Sequence, residues 1–226
     1  MSKDIIELKN VEKIYNQGMP AEIKVLKGIN IKIKEGEIVS IMGPSGSGKT
    51  TLLDVMGLLM KPTYGKVFID GKETEKMCED EIAKVRGEKL GFIFQQYNLI
   101  PSFSATENVE FAMRINGMPK SAARNRAVKL LKMVGLEYRL NNKPSQLSGG
   151  EQQRVAIARS LANSPKVILG DELTGNLDTK TGNMILKLIK DLNKEKGYTI
   201  VIVTHDEHIG KQAGRIIKLK DGEVIK

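Results

Sequence analysis

Residues Gly43, Pro44, Ser45, Gly46, Ser47, Gly48, Lys49 and Thr50 read GPSGSGKT and satisfy the spacing G-x-x-x-x-G-K-[ST]. An apolar run precedes them and a helix-like apolar pattern follows. Glycines at that spacing let the backbone curl so that successive N–H groups point at one anion, and a helix starting there adds the positive end of its dipole. A lysine one step on can reach the outer phosphates of a nucleoside triphosphate, and the next hydroxyl can ligate a divalent cation. This chemistry identifies a triphosphate and leaves the reaction open. The guanine-selecting pattern asparagine-lysine-x-aspartate is not matched, because Asn142-Lys143-Pro144 is followed by Ser145, so a GTPase is disfavoured.

A second group of reactive side chains lies at Val167 to Glu172, VILGDE, an apolar stretch ending in two carboxylates. At the carboxyl end of a buried strand, Asp171 can hold Mg²⁺ directly or through water. Glu172 can then act as general base toward an attacking water. His205, in Thr204-His205-Asp206 after the run Thr199 to Val203, stands at the strand edge where ligands of parallel sheets bind and can contact a γ-phosphate. For His208 no such placement follows.

These residues need strands to present them. Gly28 to Lys34 alternates apolar and polar, Glu35-Gly36 reads as a turn, and Ile38 to Met42 is an apolar run leading into the glycine loop. The first third therefore reads as short strands and turns, with another strand closing from Lys66 to Ile69 on Asp70-Gly71. In the middle, Ala127, Leu130, Leu131 and Val134 fall at helical spacing, as do Val155, Ala156, Ala158 and Leu161 after Ser148. The last third alternates again: a strand at Val167 to Leu169, a helix from about Lys180 to Lys196, a strand at Thr199 to Val203, a short helix, and a strand at Ile216 to Leu219. β-branched runs such as TIVIV suit a strand buried on both faces of a parallel sheet. The expectation is one α/β domain with a helical insertion.

Composition narrows the class. Hydrophobic residues make up 40% of 226 and glycines number 22, an ordinary globular share that excludes disorder as the main state. The lone Cys78 cannot form an internal disulfide and fits a reducing compartment. The sequence MSKDIIELKN lacks a signal-peptide pattern, and the longest uncharged run, Leu90 to Thr106, is too polar for a membrane span. The formal charge is +9, and Asn98 to Arg159 carries ten basic side chains against four acidic ones. With no Trp and only five Tyr and five Phe, a base-stacking nucleic-acid surface is poorly supported.

At Leu147, Ser148, Gly149, Gly150 and Glu151 the chain reads LSGGE, followed by QQRVAIARSLA. Ser148 and the bare glycine N–H groups open a helix and so form a second anion cradle. With GPSGSGKTT and VILGDE, this resembles the ATP-binding subunit of an ABC transporter over essentially the whole chain. The resemblance implies a P-loop NTPase (RecA-like) α/β core with an N-terminal antiparallel β subdomain and an inserted helical subdomain. It implies one domain: residues 1–96 and 164–226 as nucleotide-binding lobe, residues 97–163 as the helical, signature-bearing lobe. ATP and Mg²⁺ are the expected cofactors, and an ATP-dependent head-to-tail homodimer is expected, each signature closing on the nucleotide held by the other subunit.

Carried over residue by residue, Tyr15 resembles the aromatic that stacks on adenine, Thr51 an α-phosphate contact, and Gln95 the glutamine that reaches Mg²⁺ and the attacking water, with Gln96 as rival. Asp178, in GNLD, resembles the aspartate of a loop crossing the dimer interface. Two positions depart from the family pattern: Leu173 stands where proline is usual and Gly170 where alanine is common. Leucine lacks the fixed φ of proline, so a looser turn after Glu172 is expected. Glu151, where glutamine is also common, reads as a tolerated variant.

The stretches GFIFQQYNLIPSFSATENVEF and GDELTGNLDTKTG look most like the branch of lipoprotein-release, macrolide-efflux and cell-division ATPases. That implies ATP hydrolysis driving a separate transmembrane permease, with the chain cytoplasmic and peripheral on the inner membrane face. Arg124, Arg126, Lys129 and Lys132 then become a candidate surface for anionic lipid or acidic loops, rather than for nucleic acid. The alternative is a non-transport ATPase of the same superfamily acting in DNA maintenance or translation. Only about a hundred residues separate Thr50 from Ser148, without the heptads of the DNA-maintenance coiled coil, and translation relatives usually carry two cassettes. A third reading, a dimerising module without turnover, has Leu173 as its support.

Overall fold

The computed structural model describes residues 3–225. In chain order its elements are β1 (Asp4–Tyr15), β2 (Ile23–Lys34), β3 (Ile38–Met42), α1 (Lys49–Met56), β4 (Tyr64–Ile69), β5 (Lys72–Glu73), α2 (Glu79–Lys89), β6 (Leu90–Ile93), α3 (Ala105–Ile115), α4 (Lys120–Met133), α5 (Gly149–Ser160), β7 (Val167–Asp171), α6 (Thr179–Lys196), β8 (Thr199–Thr204), α7 (Glu207–Gly210), β9 (Arg215–Lys220) and β10 (Glu223–Ile225). Two compact units result: one runs to Ala83 and resumes at Thr199, the other is Lys84–Tyr198.

In the first unit β2, β1, β4 and β5 form an antiparallel sheet in that order. Its driving pattern is plain in β2, where Ile29, Ile31 and Ile33 are buried while Asn30, Lys32 and Lys34 are exposed. The expectation of short strands fails here. β1 and β2 each run for twelve residues, but register shifts such as the one between Leu8 and Val11 break the alternation that would reveal their length. The same unit holds the order β10-β9-β3-β8, with β3 parallel to both neighbours. β8 is buried at every residue, as its β-branched run predicts. Met42 lies opposite Thr204 and Lys218, so the carboxyl ends of these strands are level and whatever follows β3 and β8 emerges at one edge.

The second unit pairs β6 with β7 in parallel, Phe92 opposite Leu169 and Ile93 opposite Gly170. Around them α3, α4 and α5 pack on one another. Ala123, Ala127, Leu130 and Leu131 are the buried face of α4, and Val155 to Ala158 are buried in α5, the spacing read from sequence. Ser104 and Ser148 open α3 and α5 with complete capping boxes closed by Glu107 and Glu151. α2 buries only Ile82, which explains why no periodicity announced it. Arg126 is half-buried and engaged. Its guanidinium donates to the Ala162 carbonyl and the Ser164 hydroxyl, each at 2.6 Å, and so ties α4 to the end of the turn after α5.

Candidate active site

The glycine loop, Gly43–Gly48, leaves the carboxyl end of β3 and starts α1. Two of its glycines are obligatory for different reasons. A Cβ on Gly43 would run into the carbonyl of Leu219 in β9. Gly48 sits at φ +96°, and a Cβ there would also press at 3.1 Å on Leu26 Cδ2 and the Val25 carbonyl of β2. The Ser47 carbonyl accepts from Gly222 N–H at 3.2 Å, so the loop is gripped from both sides by its own unit.

The chemistry of the loop is that of an anion cradle. Gly48, the N-cap of α1, supplies no side-chain cap, whereas α3, α5 and α6 each have one. No cap side chain at Gly48 therefore competes with an incoming oxyanion at the start of α1. Lys49 is 8% exposed, and its ammonium donates to the carbonyls of Gly43 and Pro44 at 2.9 and 2.8 Å, curled over the loop. The Ser47 hydroxyl is buried with no hydrogen-bond partner. A buried unsatisfied hydroxyl beside a lysine and an uncapped helix start fits a phosphate ligand.

In the same unit His205 follows β8 directly, and with Met42, Gly43 and Pro44 it lines a cavity of about 460 Å³. The level carboxyl ends of β3 and β8 produce that meeting. Tyr15 ends β1 half-buried. Its hydroxyl contacts Met60 Sδ at 3.2 Å, and Lys13 Nζ stands 5.6 Å from the ring centroid.

In the second unit Asp171 ends β7 and Glu172 follows in a left-handed conformation, φ +44°. The Glu172 carbonyl accepts from Gly175 N–H at 3.0 Å, closing a turn. Gln95 Nε2 and Glu172 Oε2 converge over Gly175, where an added Cβ would lie 3.2 and 3.3 Å from them. Both side chains thus border the space that the missing Gly175 side chain leaves, and Asn176 Nδ2 donates to the Gln95 carbonyl at 2.9 Å. The rival Gln96 contributes its carbonyl to a tight turn, accepting from Asn98 N–H at 2.6 Å.

The signature opens α5. Ser148 Oγ donates to Glu151 Oε2 at 2.9 Å, and Glu151 also pairs with Arg139 at 2.8 Å. The Ser148 backbone N–H, followed by the Arg139 guanidinium, holds the Glu151 carboxyl below the ordinary carboxylate range against the opposing effect of burial. Within one chain the serine hydroxyl is therefore engaged by its own helix. Gly149 lies under the Tyr97 hydroxyl and Leu177, and Gly150 packs against Thr181 of α6. Asp178 caps α6 by accepting from Thr181 N–H at 3.1 Å, and Thr181 lowers its pKa.

Sequence reasoning missed Tyr97, Arg159 and Gln153. Arg159 donates to the carbonyls of Tyr97 and Asn98, two consecutive left-handed residues at φ 59° and 48°. Gln153 donates to the Leu173 carbonyl at 2.7 Å. The available signal was a cation and an amide set in the otherwise apolar run VAIARSLA and just before it.

A parallel sheet edge carrying an uncapped, lysine-bearing glycine loop defines a P-loop nucleoside triphosphatase. The ABC transporter family model matches residues 26–175, and this chain belongs to that family, as an ATP-binding, ATP-hydrolysing cassette. It is 55% identical over 221 residues to an uncharacterised ABC transporter ATP-binding protein of Methanocaldococcus jannaschii, covering 98% of each chain. It is 47% identical over 225 residues to a lipoprotein-releasing system ATP-binding protein LolD of Chlorobium chlorochromatii, covering 99% of this chain and 92% of the relative. Among solved structures, the dimeric post-hydrolysis cassette MJ0796 bound to ADP and Pi is similar with a TM-score of 0.90 and 52% identity, covering 98% and 97% of the two chains. Among the described residues no helix is long and apolar enough to cross a membrane.

Proposed function

We propose that this chain is the motor subunit of a transporter of the lipoprotein-release, macrolide-efflux and cell-division branch, hydrolysing ATP in a head-to-tail homodimer to drive a separate transmembrane permease. The observation that carries the reading is the loop itself: Lys49 curled over it, an uncapped α1 and a buried, unpartnered Ser47 hydroxyl. Residues 43–50 bind the β- and γ-phosphates, Thr51 the α-phosphate, and Tyr15 the adenine. The signature Leu147–Glu151 closes on the partner subunit's nucleotide, and Asp178 belongs to the loop between subunits. Residues 97–163 form the signature-bearing lobe, and the chain sits peripherally on the inner membrane face through its permease.

In this reading Mg²⁺ would be held by Thr50, Gln95 and Asp171. Thr50 hydroxyl, Gln95 amide oxygen and Asp171 carboxylate are hard oxygens. Such an ion would neutralise charge developing on the transferred phosphoryl group. Glu172 takes the proton from the attacking water, Gln95 orients that water, and His205 contacts the γ-phosphate. Closing two subunits around ATP and releasing them after hydrolysis is the motion a permease can use. Size-exclusion chromatography of Glu172→Gln with saturating ATP and Mg²⁺ tests the dimer: a shift to twice the mass supports it, and a monomeric variant contradicts head-to-tail closure.

A further inference from the structure

We propose that Gly170 and Leu173 form a matched pair, tied to the signature helix α5 through Gln153, that positions the general base Glu172. The proposal rests on the assignment of Glu172 to that role. Glu172 holds φ +44°, a conformation that crowds any residue with a Cβ and persists only where the surroundings dictate it. Its neighbours supply that constraint. On one side the Leu173 side chain, 2% exposed, folds back over the Cα of Gly170. A Cβ added to Gly170 would lie 2.5 Å from Leu173 Cδ2, 2.9 Å from Cγ and 3.2 Å from Cδ1, so the leucine occupies the space that a side chain at 170 would need. On the other side the Leu173 carbonyl accepts from Gln153 Nε2 at 2.7 Å. Gln153 is 1% exposed, and its own Oε1 is buried without a hydrogen-bond partner. An amide kept there at that cost points to a need for its donor.

Proline, usual after the glutamate in the family pattern, fixes φ through its ring. Leucine has no ring constraint, and here packing and one buried hydrogen bond take its place. The expectation of a looser turn at Leu173 therefore gives way to a differently braced one, and the two departures from the family pattern at 170 and 173 are one feature. Because Gln153 lies in the helix that Ser148 opens, the same bond links the signature helix to the backbone beside the base.

Steady-state ATPase kinetics on full-length variants, each checked for folding by thermal melting, test this. Gly170→Ala should lower kcat about tenfold or more with KM for ATP within about twofold, since residues 43–51 are untouched. Gly170→Ala combined with Leu173→Ala should recover much of that loss, because the methyl enters the volume the leucine vacates. Gln153→Met, which keeps the length and removes the donor, should lower kcat with KM unchanged. Wild-type kcat in Gly170→Ala, or a double variant no faster than Gly170→Ala alone, overturns the pairing. If Gly170→Ala does not fold, wild-type kcat in folded Leu173→Ala and Gln153→Met overturns it equally. Glu172→Gln assayed alongside separates the two ideas: normal turnover there refutes the base assignment, whereas an inactive Glu172→Gln beside a normal Gly170→Ala refutes only the positioning.

Discussion

Replacing Arg159 should loosen the segment between β6 and α3. The guanidinium donates from Nη2 to the Tyr97 carbonyl at 2.7 Å and from Nη1 to the Asn98 carbonyl, and burial pulls its pKa below the usual arginine range. Hydrogen bonds from a charged donor contribute about 1.5–3 kcal/mol each, so the pair is worth about 3–6 kcal/mol before relaxation. Relaxation of the two left-handed residues returns about 1 kcal/mol each, leaving a net loss of about 2.5 kcal/mol for Arg159→Ala. At about 2–4 °C per kcal/mol for a chain of this size, calorimetry should find Tm lowered by about 5–10 °C. Arg159→Lys offers a point donor in place of a fork; it should keep one bond and lose about half as much. A Tm drop below about 2 °C for the alanine variant, or a lysine variant equal to wild type, would refute the reasoning from these two bonds.

Gly48→Ala should abolish tight ATP binding by forcing a Cβ into a φ of +96° and against the Val25 carbonyl, with about 1–2 kcal/mol of backbone strain alone. Fluorescent-nucleotide titration checks it, and wild-type affinity would contradict the loop geometry. The lowered Glu151 pKa gives a pH signature. A carboxylate depressed on folding stabilises fully above the ordinary value of 4.5 and loses that contribution as pH falls through its lower folded value. The Tm gap between wild type and Glu151→Gln should therefore be largest near neutrality and close below pH 4.5, and a gap independent of pH would exclude the capping-box charge as its cause.

The parts of the fold visible in sequence were those governed by a single period or a single backbone requirement. The glycine loop needs its glycines wherever it occurs, β8 is buried on both faces and reads as an unbroken β-branched run, and α6 is framed by Asp178 and the left-handed Gly197. What escaped depended on partners far along the chain. β1 pairs with β2 on one edge and β4 on the other through shifted registers, and no local window carries that information. That the Gln95 amide and the Glu172 carboxylate both reach the space over Gly175 is likewise invisible to a local window. A looser turn is expected at Leu173 from sequence because its packing over Gly170 is not visible there. Arg126 looked like free surface charge for the same reason, since its acceptors lie beyond α5 in Ala162 and Ser164.

Phosphate release at saturating ATP and Mg²⁺ by the wild type beside Glu172→Gln bears most directly on the hydrolytic assignment. Loss of the general base should lower kcat by about 10²- to 10⁴-fold, and chelating Mg²⁺ should silence the wild type as well. Equal rates in the two proteins would show that Glu172, directly after β7, does not activate the attacking water.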